Sequence, residues 1–315
     1  MEENTGPAMV FEPSEHNDLG VVVGTDGSEI SYQAVAWAAV EADLRGCPLR
    51  IVTSYANPIV PGAPELDPDD RRDLRQQAQQ VLSDAVHIAM HAVPGASLHI
   101  TTELIFDLIA GALIDRSRRA QLLVVGNRGL GAVRRAVLGS VSTALARHAH
   151  CPVAVVHGIS ETDPASASKP VVVGVDGSPN SLPAVELAFQ EASQRKVDLI
   201  AVHAWSDTSG FDLPVLGWDS IRSTQDVLLE AALAGYVARY PEVTVRRIVA
   251  CDTPVRSVLE QAENAQLVVV GSHGRGGFEG MVLGSVSTAL LHLAPCPVLV
   301  VRQPSQKRAE EPAGQ

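Results

Sequence analysis

Glycine, serine and aspartate recur in this chain at a spacing suited to holding an anion. Gly126, Gly129, Gly139 and Ser140 form a Gly-x-x-Gly, nine-residue, Gly-Ser pattern, and Gly271, Gly274, Gly284 and Ser285 repeat it. Glycines have no Cβ, so backbone N–H groups can turn inward and approach an anion closely. A Gly-Ser that opens a helix adds unpaired N–H groups and the positive end of the helix dipole. Ser140, Ser142, Ser285 and Ser287 add hydroxyl donors. Together these groups read as a cradle for a polyphosphate. Glycines that only make tight turns would look similar in one loop; the same spacing at the same place in a second loop favours the cradle.

Two common phosphate loops are excluded. A P-loop requires Gly-Lys-Ser/Thr, and the lysines here are Lys169, Lys196 and Lys307, none in a glycine loop. A dinucleotide fingerprint requires Gly-x-Gly-x-x-Gly after the first strand, where this chain has "GTDGS" and "GVDGS". Those segments supply Asp26 and Asp176. Each lies at a strand's carboxyl end, beside the glycine loop if the first and fourth strands are neighbours. A carboxylate there can accept ribose hydroxyls or help hold Mg²⁺ at the phosphates. It can equally form an Asx turn that caps the next helix, and one residue can do both. His87 and His91 stand at metal-pair spacing but lack the intervening glutamate of a zinc motif, and read as a helix-surface pair.

The elements that position these residues are written twice. "VVVGTDGSEIS" from Val21 returns as "VVVGVDGSPNS" from Val171, "VLGSVSTAL" occurs from Val137 and from Val282, and "CPVAVV" at Cys151 returns as "CPVLVV" at Cys296. Each copy alternates β-branched runs with stretches of helical spacing, giving five strands and four helices. "LLVV" and "LVVV" run directly into Gly126 and Gly271, so both loops start at a strand's carboxyl end. This predicts an α/β chain of two repeated Rossmann-like domains, each a five-stranded parallel sheet covered by helices. The expected boundaries are a flexible leader over 1–18, domains over 19–157 and 170–302, a Pro- and Ser-rich linker over 158–169 and a flexible tail over 303–315.

Bulk composition excludes several function classes. The formal net charge of −12 over 315 residues argues against nucleic acid and anionic lipid as partners. No apolar run approaches the roughly 20 residues that span a bilayer. The acidic start "MEENTGPAMVFEPSEHNDLG" has no signal-peptide core, so a cytoplasmic protein is expected. The four cysteines form no Cys-x-x-Cys pair and read as small buried hydrophobes.

The strand-one "VVGxDGS", the glycine loop and the closing "CPVxVV" together resemble the universal stress protein family in its tandem form, over about Leu19 to Arg302. The resemblance implies the strand order 3-2-1-4-5 and one ATP site per domain, beside which Asp26 and Asp176 stand as the candidate Mg²⁺ ligands read above. By position, the first site would use Gly24, Asp26, Gly126, Arg128, Gly129, Gly131, Gly139, Ser140, Val141 and Ser142. The second would use Gly174, Asp176, Gly271, His273, Gly274, Gly276, Gly284, Ser285, Val286 and Ser287; the end of the second strand, near Ser54 in one copy and Ala204 to Asp207 in the other, would border the adenine, with Asp207 as a further ribose or adenine contact. It also implies a nucleotide-dependent regulator of stress response or growth control, pairing at the last, edge-forming strands both between domains and between chains as a homodimer, and regulatory protein partners. The alternative is a slow ATPase or another nucleotide-processing enzyme. No arginine finger or general base stands out, and His273 reads as a phosphate contact, so retention with little turnover is expected.

Overall fold

The computed structural model describes residues 18–56, 67–129, 138–158, 166–205, 218–274 and 283–302. The first half runs β1 (Val21–Gly24), α1 (Glu29–Leu44), β2 (Leu49–Ser54), α2 (Pro68–Ala92), β3 (Ile100–Ile105), α3 (Ile109–Arg116), β4 (Leu122–Gly126), α4 (Ser140–His148) and β5 (Val153–Val156). The second runs β6 (Val171–Gly174), a 3₁₀ turn (Pro179–Ser181), α5 (Leu182–Arg195), β7 (Leu199–Ala204), α6 (Trp218–Arg239), β8 (Val245–Ala250), α7 (Pro254–Ala262), β9 (Leu267–Gly271), α8 (Ser285–Leu293) and β10 (Val298–Val301).

Local chemistry starts the helices where the sequence says. Ser28 caps α1 by accepting from the Ser31 N–H, and Asp67 caps α2 ahead of Pro68. The strands are apolar on both faces because both faces are covered. Val21, Val23, Leu49, Ile51, Leu122 and Val124 pack with α1 and α2 residues on one side, whereas Val22, Val52, Leu123 and Val125 pack with α3 and α4 residues on the other. The alternation is the period of two that a pleated strand imposes.

The sheet order is β3-β2-β1-β4-β5-β10-β9-β6-β7-β8, so each half has the expected order 3-2-1-4-5 with parallel neighbours. The halves join where β5 pairs antiparallel with β10, Ala154 opposite Leu299. Of the two pairings expected at these strands, the one between domains is present, and a second copy could use the same edges only by breaking that ladder. The strands left at the edges, β3 and β8, carry ion pairs. Glu103 meets Arg116 and, at 3.5 Å, Arg50; Arg247 lies 3.1 Å from both Asp226 and Glu230.

Side chains extend the join. Glu41 in α1 and Arg45 at its C-terminal cap face Glu191 and Arg195 in α5, making a closed quartet of charges. Each arginine pairs with the glutamate on its own helix, at 3.3 Å for Arg45–Glu41 and 3.2 Å for Arg195–Glu191, and with the glutamate across the join. Both glutamate side chains are 0% exposed. His157, just past β5, bonds through Nε2 to the Leu291 carbonyl at 2.9 Å, and Arg302, just past β10, donates to the Arg147 carbonyl. Among the cysteines, Cys151 and Cys296 are buried and burial pushes the Cys151 thiol up to about 12. Cys47 and Cys251 are only half-buried, contrary to the expectation for all four.

Candidate functional site

The topology sets the two glycine loops at switch points of strand order. β1 and β4 are neighbours, as are β6 and β9, so Asp26 and Asp176 each come to lie beside a glycine loop. The Asx turn is present in both halves. Oδ1 of Asp26 accepts from the Ser28 N–H at 3.0 Å and its hydroxyl at 2.6 Å; Oδ1 of Asp176 does the same with Ser178 at 2.8 and 2.7 Å. Gly27 and Gly177 complete these turns at φ 83° and 75°, a region that favours glycine.

The second oxygen of each aspartate faces the loop. A Cβ on Gly129 would stand 2.3 Å from Asp26 Oδ2, and one on Gly274 would stand 2.6 Å from Asp176 Oδ2. No side chain fits there without displacing the carboxylate or the loop. The other glycines serve packing. A Cβ on Gly126 would meet Ile30 Cγ2 at 2.7 Å, one on Gly271 the Asn180 carbonyl at 3.0 Å, and one on Gly24 Leu113 Cδ1 at 2.8 Å. Gly174 is slightly looser, 3.3 Å from Val270 Cγ1.

Both ends of each loop are pinned together. The Gly139 N–H donates to the Asn127 carbonyl at 2.8 Å, and the Gly284 N–H to the Ser272 carbonyl at 2.7 Å. Gly139 and Gly284 then act as N-caps with no capping side chain. The N–H groups of Ser140, Val141 and Ser142, and of Ser285, Val286 and Ser287, thus have no acceptor inside their helices. The serines divide into two roles, and here the expectation of four hydroxyl donors fails. Ser142 is buried and donates to the Gly126 carbonyl at 2.9 Å; Ser287 donates to the Gly271 carbonyl at 2.7 Å. A hydroxyl has one proton, so these two brace the loop, while Ser140 and Ser285 are exposed. Arg128 lies beside Asn127, and His273 Nδ1 lies 3.0 Å from the Ser272 hydroxyl.

In the second half these segments enclose a cavity of about 370 Å³, lined among others by Asp176, Trp205, Pro254, His273, Gly274 and Ser285. That is within the range of small-molecule sites. Trp205 falls within Ala204 to Asp207, the stretch just past β7 that the resemblance set beside the adenine, although its indole was not itself singled out. Its counterpart in the first half is Tyr55, whose ring packs on Phe106 with centroids 5.0 Å apart. Under the second site, buried His203 donates from Nδ1 to the Val175 carbonyl at 2.7 Å, where the first half has Thr53 donating to the Thr25 carbonyl. Gly131, Gly276 and Asp207, with the loop charges Arg134, Arg135 and Glu279, lie outside the described residues. No cluster of three potential metal ligands occurs among the described residues, and the exposed His87 and His91 have no third partner of that kind.

Residues 20–157 and 167–302 each match the Universal stress protein family. The chain belongs to the universal stress protein family. Universal stress protein Rv2005c of Mycobacterium tuberculosis is 44% identical over 287 residues, spanning 90% of this chain and 97% of that protein. Universal stress protein Rv1996 of the same organism is 45% identical over 312 residues, spanning 92% and 97%. The crystal structure of a universal stress protein from Archaeoglobus fulgidus covers 91% of this chain and 99% of its own, with a TM-score of 0.67 at 20% identity, which shows the shared tandem fold. No helix among the described residues of this universal stress protein is long and apolar enough to cross a membrane.

Proposed function

We propose that each half binds ATP and that occupancy, rather than turnover, is the output: a nucleotide-dependent regulator in stress response or growth control. The observation that carries this reading is the approach of Gly129 and Gly274 to Asp26 and Asp176, which brings a carboxylate oxygen, loop N–H groups and an uncapped helix start to one place. The phosphates would lie on the N–H groups of Ser140–Ser142 and Ser285–Ser287, the donor chemistry an oxyanion needs. Asp26 and Asp176 would hold Mg²⁺ with the phosphate oxygens, supplying positive charge to the polyphosphate. In the second half the adenine would pack near Trp205. Four free cysteines fit a reducing cytoplasm. Regulatory proteins that read the occupied state are the partners this reading requires. Mass spectrometry of small molecules released from the purified, denatured chain tests it: ATP is the expected release, and a chain without adenine nucleotide that also fails to take up added Mg-ATP would end the reading.

The two sites are expected to differ. The loop carries Arg134 and Arg135 in the first half and Glu279 in the second. Arginine near a triphosphate is favourable and a carboxylate is not. Tyr55 against Trp205 adds a second difference. Calorimetric titration of the nucleotide-free chain should resolve two classes of site about tenfold apart; one class of two equal sites would contradict this.

Hydrolysis should be negligible. In this reading Asp26 and Asp176, held by Ser28 and Ser178, and His273, beside the Ser272 hydroxyl, serve to hold the phosphates and their cation rather than to activate a water, as phosphoryl transfer would require. Phosphate-release measurements under saturating Mg-ATP should show no sustained multiple turnover; steady turnover would move the protein to the ATPase reading.

A further inference from the structure

The long helix α6 is apolar on the side turned away from the sheet as well as on the side that meets it. Leu229, Leu233, Tyr236 and Tyr240 pack into the core. The opposite side presents Val227, 64% exposed, Leu228, 57% exposed, and then Ala231, Ala234, Gly235 and Ala238, all exposed. A surface helix ordinarily carries polar residues there. The repeated half supplies the comparison. With the buried Ala78 and Leu82 of α2 set against Leu229 and Leu233, the same six positions read Gln76, Gln77, Gln80, Ser83, Asp84 and His87.

Between Thr224 and Arg239 the charged side chains of α6 are engaged within the chain. Asp226 and Glu230 pair with Arg247 of β8, and Arg239 pairs with Glu186 of α5. The outer face is left uncharged. Gly235 adds a second observation. It is not among the glycines at positive φ, and a Cβ on it would meet nothing within 4 Å. A glycine inside a helix is unfavourable relative to alanine, and nothing in the described residues requires one here.

We propose that two copies of the chain meet on this face, α6 packed antiparallel on α6 about a two-fold axis through Ala231. Such an axis sets residues equally far before and after Ala231 against each other. Val227 then lies opposite Gly235 of the partner subunit, and Leu228 opposite Ala234 of the partner subunit. Each large side chain meets a small one, which fills the space and lets the helices approach closely. This is the use for Gly235 that the single chain lacks. A second copy is the occupant the pattern selects, because an unrelated helix would not need large and small residues placed symmetrically about one position. The face from Thr224 to Ala238 is about 22 Å long and about 10 Å wide. That is well short of the roughly 800 Å² per partner of a stable complex, so the pairing is transient. It does not depend on what the glycine loops bind.

Sedimentation velocity of the full chain from about 5 µM to about 1 mM should show the mass rising from one chain toward two. With a net charge of −12 on each copy, the pairing should tighten as salt is raised. Gly235→Leu should raise the urea midpoint at about 5 µM, since leucine is the better helix former. The same variant should weaken self-association at least about tenfold, because the new side chain takes the place of Val227 of the partner subunit. A merely adhesive apolar patch would associate more tightly with the added leucine. Ala231→Cys, on the axis, should cross-link to itself under mild oxidation well beyond the parent chain, whose own four cysteines serve as the control. A mass of one chain up to about 1 mM would overturn the proposal and leave the face to a different protein. Association unchanged or tighter in Gly235→Leu, or no cross-linking of Ala231→Cys beyond the parent, would overturn it as well.

Discussion

Valine at Gly274 is expected to weaken nucleotide binding in the second half by at least about 100-fold while leaving the fold intact. The reasoning starts from the missing Cβ. Any side chain there begins 2.6 Å from Asp176 Oδ2, inside the closest approach real atoms make. The carboxylate cannot simply swing aside, because Oδ1 is tied to the N–H and hydroxyl of Ser178. Either the Asx turn opens or the loop lifts from the strand ends, and both outcomes pull the proposed Mg²⁺ ligand away from the phosphate donors. The fold survives because Gly274 lies beyond the end of β9, outside the buried ladder. Gly129→Val should do the same to the first site, where the approach is 2.3 Å. Calorimetry would then show one remaining site in each single variant and none in the double. Two intact sites in the double variant, with an unchanged circular dichroism spectrum, would refute the cradle.

Glu41→Gln is expected to destabilise the folded chain by about 3–5 kcal/mol. The substitution leaves Arg45 and Arg195 sharing Glu191 alone, so the join holds a buried positive charge with too little to balance it. Replacing the whole quartet with apolar residues (Glu41→Leu, Arg45→Met, Glu191→Leu, Arg195→Met) should restore most of that loss, since no charge then needs solvation. Urea unfolding followed by tryptophan fluorescence gives the comparison. A midpoint for Glu41→Gln equal to the parent's would mean that the quartet contributes nothing to the join.

Much of this was legible in the sequence, for physical reasons that differ by feature. The order of strands and helices could be read because buried parallel strands must be continuous apolar runs, as "LLVV" and "LVVV" are. The loop glycines could be read because only glycine tolerates such approaches. The division of labour among the serines could not: Ser140 and Ser142 are chemically identical, and only the helix geometry turns one outward and the other onto the Gly126 carbonyl. The quartet escaped notice for a related reason. Glu and Arg four residues apart on a helix ordinarily signal a solvated face. Here the signal was their repetition in both copies within otherwise apolar helices, Glu41 with Arg45 and Glu191 with Arg195. The stretch holding Trp205 could be placed by position, but its meeting with Pro254, His273 and Gly274 around one cavity depends on elements far apart in the chain.

The antiparallel meeting of β5 with β10 also bears on how the two pockets communicate. All strands of one half run opposite to those of the other, so the mouths open at opposite poles of the molecule. Four strand spacings, about 19 Å, separate them even before that opposition is counted. At physiological salt the interaction between solvent-exposed charges decays over about 8 Å, so a charge gained at one pole is largely screened from the other. Cooperativity between them is therefore expected to be chiefly mechanical, and the sheet made continuous by β5 and β10 is the element the two pockets share.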